Sequence, residues 1–164
     1  MMREERPMEI SLGTAVKGIV LLGVALLATG CGTPKAPSSF IQINDTTRTS
    51  WKTVELREGL TYEQAWQILV DTIAMKYDIE TTDKDAGYLR SGWAYMTGKD
   101  QGTGYPFTYG RRLTCNFTED KTKLQVKTEA YYQVQHYPTV YGLDSGFNEG
   151  VYTEIAGKLG RRTR

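Results

Sequence analysis

The side chains that most often carry catalysis or bind metals are scarce in this chain. Its 164 residues include two cysteines and a single histidine, His136. His136 stands at the predicted end of a strand, without the second histidine or nearby cysteine that a zinc site or a catalytic dyad would need. We therefore predict a solvated loop histidine, no bound metal and no catalytic residue.

Four carboxylates form an acidic cluster, Asp78, Glu80, Asp83 and Asp85, and its segment Asp83-Lys84-Asp85 begins like a calcium-binding loop. Gly87 stands where a third calcium ligand should lie, and the distal glutamate of such a loop is missing. The pattern fits a tight turn with a solvated acidic rim better than a cation site.

Cys115 lies in an alternating segment in which Leu113 and Phe117 share its face of a predicted strand. The pattern does not oblige any basic group to face the thiol, although reactive thiols need such a neighbour. We predict that Cys115 is a small buried hydrophobic residue.

The other cysteine, Cys31, follows a segment with the composition of a secretion signal. The first residues and Lys17 carry the charges, and residues 18–28 form an uncharged apolar run. A helix over that run would be about 17 Å long, too short for a hydrocarbon core of roughly 30 Å. Residues 1–30 are therefore predicted to be a cleaved signal peptide.

The sequence that ends this run, Leu27-Ala28-Thr29-Gly30-Cys31, resembles the lipobox of bacterial lipoproteins. The resemblance implies cleavage before Cys31, diacylation of its sulfur (palmitate or a similar chain) and acylation of the new amino group. Lipidation would leave Cys115 without a disulfide partner, and no cofactor besides this covalent lipid is expected. An ordinary secretion signal with a chance cysteine is the alternative.

Gly32 bears on the destination of such a lipoprotein. In Gram-negative lipoproteins an aspartate at that position is the usual inner-membrane retention signal, so the resemblance implies the outer membrane, facing the periplasm or the cell surface. In a Gram-positive cell the same chain would stay on the plasma membrane. Residues 31–50 read as a flexible tether. Apolar residues at 40–43 interrupt the tether and indicate either a docked strand or a partner-binding segment.

Regular patterning predicts one globular domain over residues 51–160, followed by a basic tail at 161–164. A strand at 51–56 precedes a helix that Thr61 and Gln64 open as a capping box, with Trp66 on its apolar stripe. Alternation then predicts two hairpins, 78–83 with 88–96 and 107–117 with 122–134. A second helix, capped by Asp144 or Ser145, ends the domain. We expect an α+β fold of order β-α-β-β-β-β-α, an antiparallel sheet with two helices on one face.

This order resembles a helix-grip domain of the BamC lipoproteins, which are accessories of the outer-membrane β-barrel assembly machinery. The likeness rests on the helix start Leu60-Thr61-Tyr62-Glu63-Gln64-Ala65-Trp66 and on the turn Asp83-Lys84-Asp85-Ala86-Gly87. It implies the fold and an accessory role, and it brings no catalytic residue. BamC carries two such domains and a long partner-binding segment, whereas this chain has one domain and a short tether.

Two predicted loops concentrate aromatic and basic side chains outside the core stripes. The candidate binding residues are Tyr105, Arg111, Arg112, Tyr137 and Tyr141. If the loops meet at one end of the sheet, they would form a surface for a protein partner or a glycan. The alternative is that these rings cap the core.

Two classes of function remain open at this point. The first is a non-catalytic adaptor or accessory subunit of an envelope protein complex, and the second is an envelope glycan- or lipid-binding lipoprotein. No nucleophile–base pair is visible in the sequence, so we do not expect an enzyme, and a net charge of +1 gives no field that would attract nucleic acid. The adaptor is favoured because a small lipidated domain without recognisable chemistry is most simply a scaffold.

The lipobox generates the first testable prediction. Cys31→Ser removes the thiol that would accept the lipid, so the variant should take up no labelled palmitate and should accumulate as the uncleaved precursor. Palmitate labelling and the mobility of the chain on a gel measure both effects. Normal maturation of the variant, with no palmitate in the wild type, would contradict the lipoprotein interpretation.

Overall fold

The computed structural model describes residues 32–43 and 51–161. The predicted signal peptide, Cys31, residues 44–50 and the last three residues of the basic tail lie outside this part. The strands are β1 Phe40–Gln42, β2 Lys52–Glu55, β3 Ile79–Asp83, β4 Tyr88–Ser91, β5 Ala94–Lys99, β6 Pro106–Phe117, β7 Lys123–Val134 and β8 Val140–Asp144. The helices are α1 Tyr62–Ala74 and α2 Ser145–Leu159, and neither has the length and apolarity to span a bilayer.

The eight strands form one antiparallel sheet around the long hairpin of β6 and β7. Strands β4 and β5 follow one another along the free side of β6, while β2 and β8 share the free side of β7. Strand β3 extends the sheet beyond β4, and β1 extends it beyond β8. The predicted α+β class is confirmed.

Strand β7 alternates strictly between buried and partly exposed side chains, as its sequence predicts. Its partner β6 pairs with it from Phe107↔Val134 to Phe117↔Leu124. Because directly paired residues point to the same side, this register sends Leu113, Cys115 and Phe117 to the buried inner face. Cys115 is fully buried, and burial raises the pKa of its thiol to about 12, as expected for an inert core cysteine.

Helix α1 begins where its capping box predicts. The Thr61 hydroxyl accepts a hydrogen bond from the Gln64 N–H at 3.3 Å, and the Gln64 side chain accepts one from the Thr61 N–H at 3.1 Å. Asp144 caps α2 by accepting from the Phe147 N–H at 3.0 Å. The stripes of both helices join the inner face of the sheet in one hydrophobic cluster, which includes Trp66 with 7% of its surface exposed.

The predicted strand 88–96 is two strands, β4 and β5, because one extra residue interrupts it. From the pair Arg90↔Thr114 to the pair Ala94↔Arg111, the segment that joins β4 to β5 advances by four residues, whereas β6 advances by three. Such a bulge breaks the ladder, and the buried hydroxyl of Ser91 accepts the Leu113 N–H at 3.1 Å. The alternation of apolar and polar residues over 88–96 does not reveal the extra residue.

The stretch predicted as a loop between β7 and α2 contains strand β8, and residues 40–42 form a strand that pairs with it. Of the two possibilities left open for the apolar residues 40–43, the docked strand is the one observed. Phe40 packs on the sheet with Ala36, so residues 35–43 lie against the domain where a flexible tether was expected. Strand β1 has a partner far along the chain, and β8 pairs with both β1 and the preceding strand β7; the alternation of such short segments is too brief to indicate either strand.

The position of Trp66 yields a stability prediction. Trp66→Ala should lower the free energy of unfolding by about 3–5 kcal/mol, because the cavity left between α1 and the sheet cannot fully collapse. Denaturant unfolding of the soluble domain measures the change. Cys115→Ser, at a smaller buried side chain, should cost less, and a Trp66→Ala change within about 0.5 kcal/mol of wild type would place the ring outside the core.

Candidate binding face

The five candidate residues do not form one surface. Tyr105 and Tyr137 lie together at one end of the sheet, with ring centroids 6.5 Å apart. Arg112 and Tyr141 line a shallow pocket on the face opposite the hydrophobic cores, and Arg111 points to the inner face. The single surface expected from the sequence is therefore two surfaces and one internal contact.

Arg111 has a structural environment. Its guanidinium lies 3.4 Å from the Asp144 carboxylate and stacks over the rings of Tyr109 and Phe147 at 5.8 and 5.1 Å. These contacts fix the N-terminus of α2 to the sheet. Arg111 thus has a packing role in the fold, and its part in a binding surface stays a prediction.

Tyr105 and Tyr137 belong to the end of the sheet where β5 turns into β6 and β7 turns into β8. Tyr105 is 45% exposed, and its ring also contacts His136 with centroids 5.4 Å apart. Tyr137 is half-buried against the core around Tyr132. His136 is exposed and in the left-handed backbone region with φ of 71°, consistent with the predicted loop position.

The outer face of the sheet carries a row of tyrosines in register across four strands. Tyr95 on β5 pairs with Gly110 on β6, Gly110 pairs with Tyr131 on β7, and Tyr131 pairs with Tyr141 on β8. The row continues to residue 43, whose N–H donates to the Tyr141 carbonyl at 3.1 Å. We call the side chains of Tyr95, Tyr131 and Tyr141 the tyrosine row.

The tyrosine row depends on the glycine at its centre. A Cβ atom at position 110 would overlap the ring of Tyr131, so the ring lies across the bare backbone of Gly110. Tyr131 then contacts the rings on both sides, with centroids 6.5 Å from Tyr95 and 6.3 Å from Tyr141. The outer members are 63% and 65% exposed, respectively, while Tyr131 is half-buried between them.

Beside the row, Trp93 and Arg112 form a stacked pair. The bulge between β4 and β5 brings the indole of Trp93 to the Tyr131 ring, with centroids 5.0 Å apart, and the Arg112 guanidinium lies 4.4 Å from the indole centroid. Arg112 also binds the Glu129 carboxylate at 2.8 Å. Partial burial raises the pKa of Glu129, but this ion pair outweighs that effect and lowers it.

Two buried carboxylates hold the inner face near Tyr105 together. Asp100 is 2% exposed and accepts from the Tyr132 hydroxyl at 2.6 Å, the Lys35 N–H at 2.7 Å and the Thr103 N–H at 2.7 Å. Asp144 accepts from the Tyr109 hydroxyl at 2.8 Å. Burial alone raises the pKa of each carboxyl, but the donated hydrogen bonds outweigh it and hold both values below the usual range.

These strongly perturbed groups are bound to one another inside the domain. Burial and the hydrogen bonds to Asp144 and Asp100 raise the pKa of Tyr109 and Tyr132, so both phenols stay protonated as donors. Among the described residues no group of three or more His, Cys, Asp or Glu side chains is arranged to hold a metal ion. In the predicted acidic turn, Asp83 accepts the Ala86 N–H at 2.9 Å, and Gly87 has the positive φ that the turn requires.

The sequence analysis did not single out Trp93, Tyr95 and Tyr131 as binding candidates. Tyr131 carried a usable signal, since the alternation of β7 assigns it to the wet face. Trp93 and Tyr95 carried none, because the bulge shifts the alternation that would have assigned their faces.

No protein-family model matches this chain, and no curated protein matches it significantly. The outer face of the sheet, with the tyrosine row and the Trp93–Arg112 pair, is therefore described by its own geometry. Its exposed rings, an arginine held in place and a rigid strand backbone are features of recognition surfaces.

The Asp100 network yields a prediction about stability and pH. Asp100→Asn keeps one acceptor but loses the charge to which five hydrogen bonds are donated, so the free energy of unfolding at neutral pH should fall by about 1–3 kcal/mol. A carboxyl whose pKa is lowered by folding stabilises the domain above its unfolded pKa of about 3.9 and loses that contribution as the pH falls through the folded value. The gap between wild type and variant should therefore narrow below about pH 4.

Denaturant titrations of both proteins from neutral to acidic pH measure this gap. Asp71→Asn, at an exposed position on α1, is the matched control and should change stability by less than about 0.5 kcal/mol. A gap at Asp100 that stayed constant down to pH 2 would contradict an ionised carboxylate as the source of the stabilisation.

Proposed function

We propose that this protein is a lipoprotein anchored at Cys31, and that its domain is a non-catalytic adaptor or accessory subunit of an envelope protein complex. The outer face, with the tyrosine row and the Trp93–Arg112 pair, is the surface that binds the protein partner. The outer membrane is the proposed location. The observation that carries the proposal is the tyrosine row, because it presents exposed rings in register on a rigid sheet.

The composition of the face supports protein binding. Tyrosine, tryptophan and arginine are the residues most enriched at interface hot spots, and this face contains all three side by side. Ile41 adds an aliphatic side chain that is 46% exposed at the same face of the neighbouring strand β1. Together they make an apolar centre that a partner can desolvate.

The rigidity of the face favours tight binding. Gly110 lets the ring of Tyr131 lie flat, Trp93 holds that ring from the side, and Glu129 fixes the guanidinium of Arg112. Side chains ordered before binding lose little conformational entropy when a partner arrives. Strand positions also hold the rings more precisely than loop positions would.

The buried polar groups support a binding role over a catalytic one. Asp100 and Asp144 use their carboxylates to hold the turn after β5, the segment near Lys35 and the start of α2. Each perturbed group thus has an assigned contact in the fold. The exposed face, by contrast, offers shape and aromatic area.

A glycan strand is the second candidate ligand. Three strand spacings of about 4.8 Å separate Tyr95 from Tyr141, so the row is about 14 Å long. The outer two rings are mostly exposed and the rings are inclined to their neighbours by 65° and 56°, so the row offers separate aromatic contacts that can pack on the apolar faces of successive sugar rings as well as on a protein surface. This candidate fits the same lipoprotein anchored in an envelope.

The double change Tyr95→Ala with Tyr141→Ala tests the face. Both side chains are mostly exposed, so the fold should persist, whereas capture of the native partner should weaken by on the order of tenfold or more, since one hot-spot side chain is worth ~2 kcal/mol. Crosslinking in intact membranes, followed by purification and identification of bound protein or glycan, measures the capture. Thermal unfolding of the same variants checks the fold.

Tyr88→Ala is the matched control, because Tyr88 lies on the outer face of β4 about 20 Å farther along the sheet and outside the row. It should capture the partner as well as wild type does. Protein recovered with wild type and lost with the double variant supports the adaptor, and glycan recovered in that pattern supports the second candidate. Undiminished capture by a folded double variant would place the binding surface elsewhere.

A further inference from the structure

The chain is docked on the domain at Lys35. The Lys35 N–H donates to the buried Asp100 carboxylate at 2.7 Å, and Ala36 and Phe40 then pack against the core around Tyr109 and Tyr132. This contact lies at the end of the sheet that carries Tyr105, where the turn after β5 meets the turn after β7. These contacts hold the chain at Lys35 against this end of the sheet.

Cys31 precedes Lys35 by four residues. An extended chain of that length spans at most about 14 Å, and Pro34 stiffens it further. A lipid on Cys31 thus limits how far Lys35 can stand from the bilayer. The end of the sheet around Lys35 has to face the membrane at close range, while the opposite end lies farther away by the length of the long hairpin, roughly 30–35 Å.

The side chains at the Lys35 end suit a headgroup layer. Tyr105 and His136 present exposed rings, and tyrosine is a residue that concentrates at membrane–water interfaces. Lys35 and Lys99 are exposed there. In the segments of this end, residues 34–38, 97–106 and 135–139, the sole carboxylate is the buried Asp100.

The opposite end carries charges of both signs, because Arg57 and Arg161 lie beside its turns: the Leu56 N–H donates to the Thr122 carbonyl and the Arg161 N–H to the Glu55 carbonyl. Its two turns, 83–87 and 118–122, carry two lysines and four exposed carboxylates: Asp83, Asp85, Glu119 and Asp120. Anionic headgroups attract lysines near the surface and repel carboxylates. Covalent reach selects the end of the sheet at Lys35, and the lysines there, without an exposed carboxylate in the same segments, suit anionic headgroups.

We propose that the Lys35 end, built from Lys35, Lys99, Tyr105 and His136, is a membrane-contact surface that rests on anionic phospholipid headgroups. This inference rests on the proposed lipidation of Cys31. The occupant is the bilayer surface itself. With the domain standing on this end, the strands rise from the membrane and the tyrosine row faces sideways.

Fluorescence quenching in vesicles tests the contact. Gln101→Cys places a probe in the exposed turn next to Tyr105, and Glu119→Cys places one in the opposite turn. Cys115 is buried and unreactive, and acylation blocks Cys31, so a thiol-reactive fluorophore labels the new cysteine alone. The acylated proteins are reconstituted in phosphatidylethanolamine and phosphatidylglycerol vesicles with a spin label on the lipid headgroups.

We expect strong quenching of the probe at position 101 and little at position 119. Equal quenching at both positions, or stronger quenching at 119, in a protein shown to carry the lipid would overturn the membrane contact and leave the lipoprotein proposal intact. A wild-type chain that carries no acyl group would overturn both.

Charge reversal tests whether anionic headgroups attract the lysines of this end. Lys35→Glu with Lys99→Glu should reduce quenching at position 101 by at least about twofold, because anionic lipid then repels this end. The matched control is Lys84→Glu with Lys123→Glu at the opposite end, which should leave quenching at 101 unchanged. Equal quenching in the two double variants would show that the tether alone brings this end to the bilayer, and it would overturn the electrostatic contact.

Discussion

The antiparallel register between β6 and β7 is the constraint on which the other features depend. Each pair, such as Cys115↔Val126, assigns two side chains to one face, and a shift of a single residue would exchange the faces of the whole hairpin. The half of the inner face near Cys115 receives the apolar stripes of both helices. The other half, around Tyr109 and Tyr132, packs against the segment near Phe40.

That second half explains why two carboxylates are buried. Tyr109 and Tyr132 are nearly inaccessible, and their hydroxyls would be orphaned without acceptors. Asp144 and Asp100 accept these hydrogen bonds, and their remaining oxygen lone pairs accept N–H groups from the start of α2 and from Lys35. The two carboxylates that accept from the phenols therefore also hold the start of α2 and the segment at Lys35. Because every donor is in place only when these segments are docked, the network couples them.

The sequence pattern predicted the elements that interactions between neighbouring residues determine. The capping box at Thr61, the apolar stripe with Trp66 and the alternation of β7 are each written within a few residues, so both helices and the long hairpin were predicted correctly. The bulge after Ser91 and strand β1 depend on partners more than twenty residues away, and β8, which pairs with the nearby β7, is only five residues long, so no local period reveals them. The candidate surface failed for that reason: loops were assumed where β8 places Tyr141 on a sheet face.

The exposed side of the sheet follows from the same register. If Gly110 carried a side chain, the ring of Tyr131 would be pushed away from the backbone, and Tyr95 and Tyr141 would lose the ring that connects them. A glycine inside a long strand weakens it, since it packs no side chain and costs more entropy to order. Here the Tyr131 ring covers the backbone of Gly110 and recovers part of that loss, and the outcome is a row of rings inclined to one another. A β-branched residue at position 110, which strand propensity favours, would overlap the Tyr131 ring, so the glycine and the tyrosine row depend on one another.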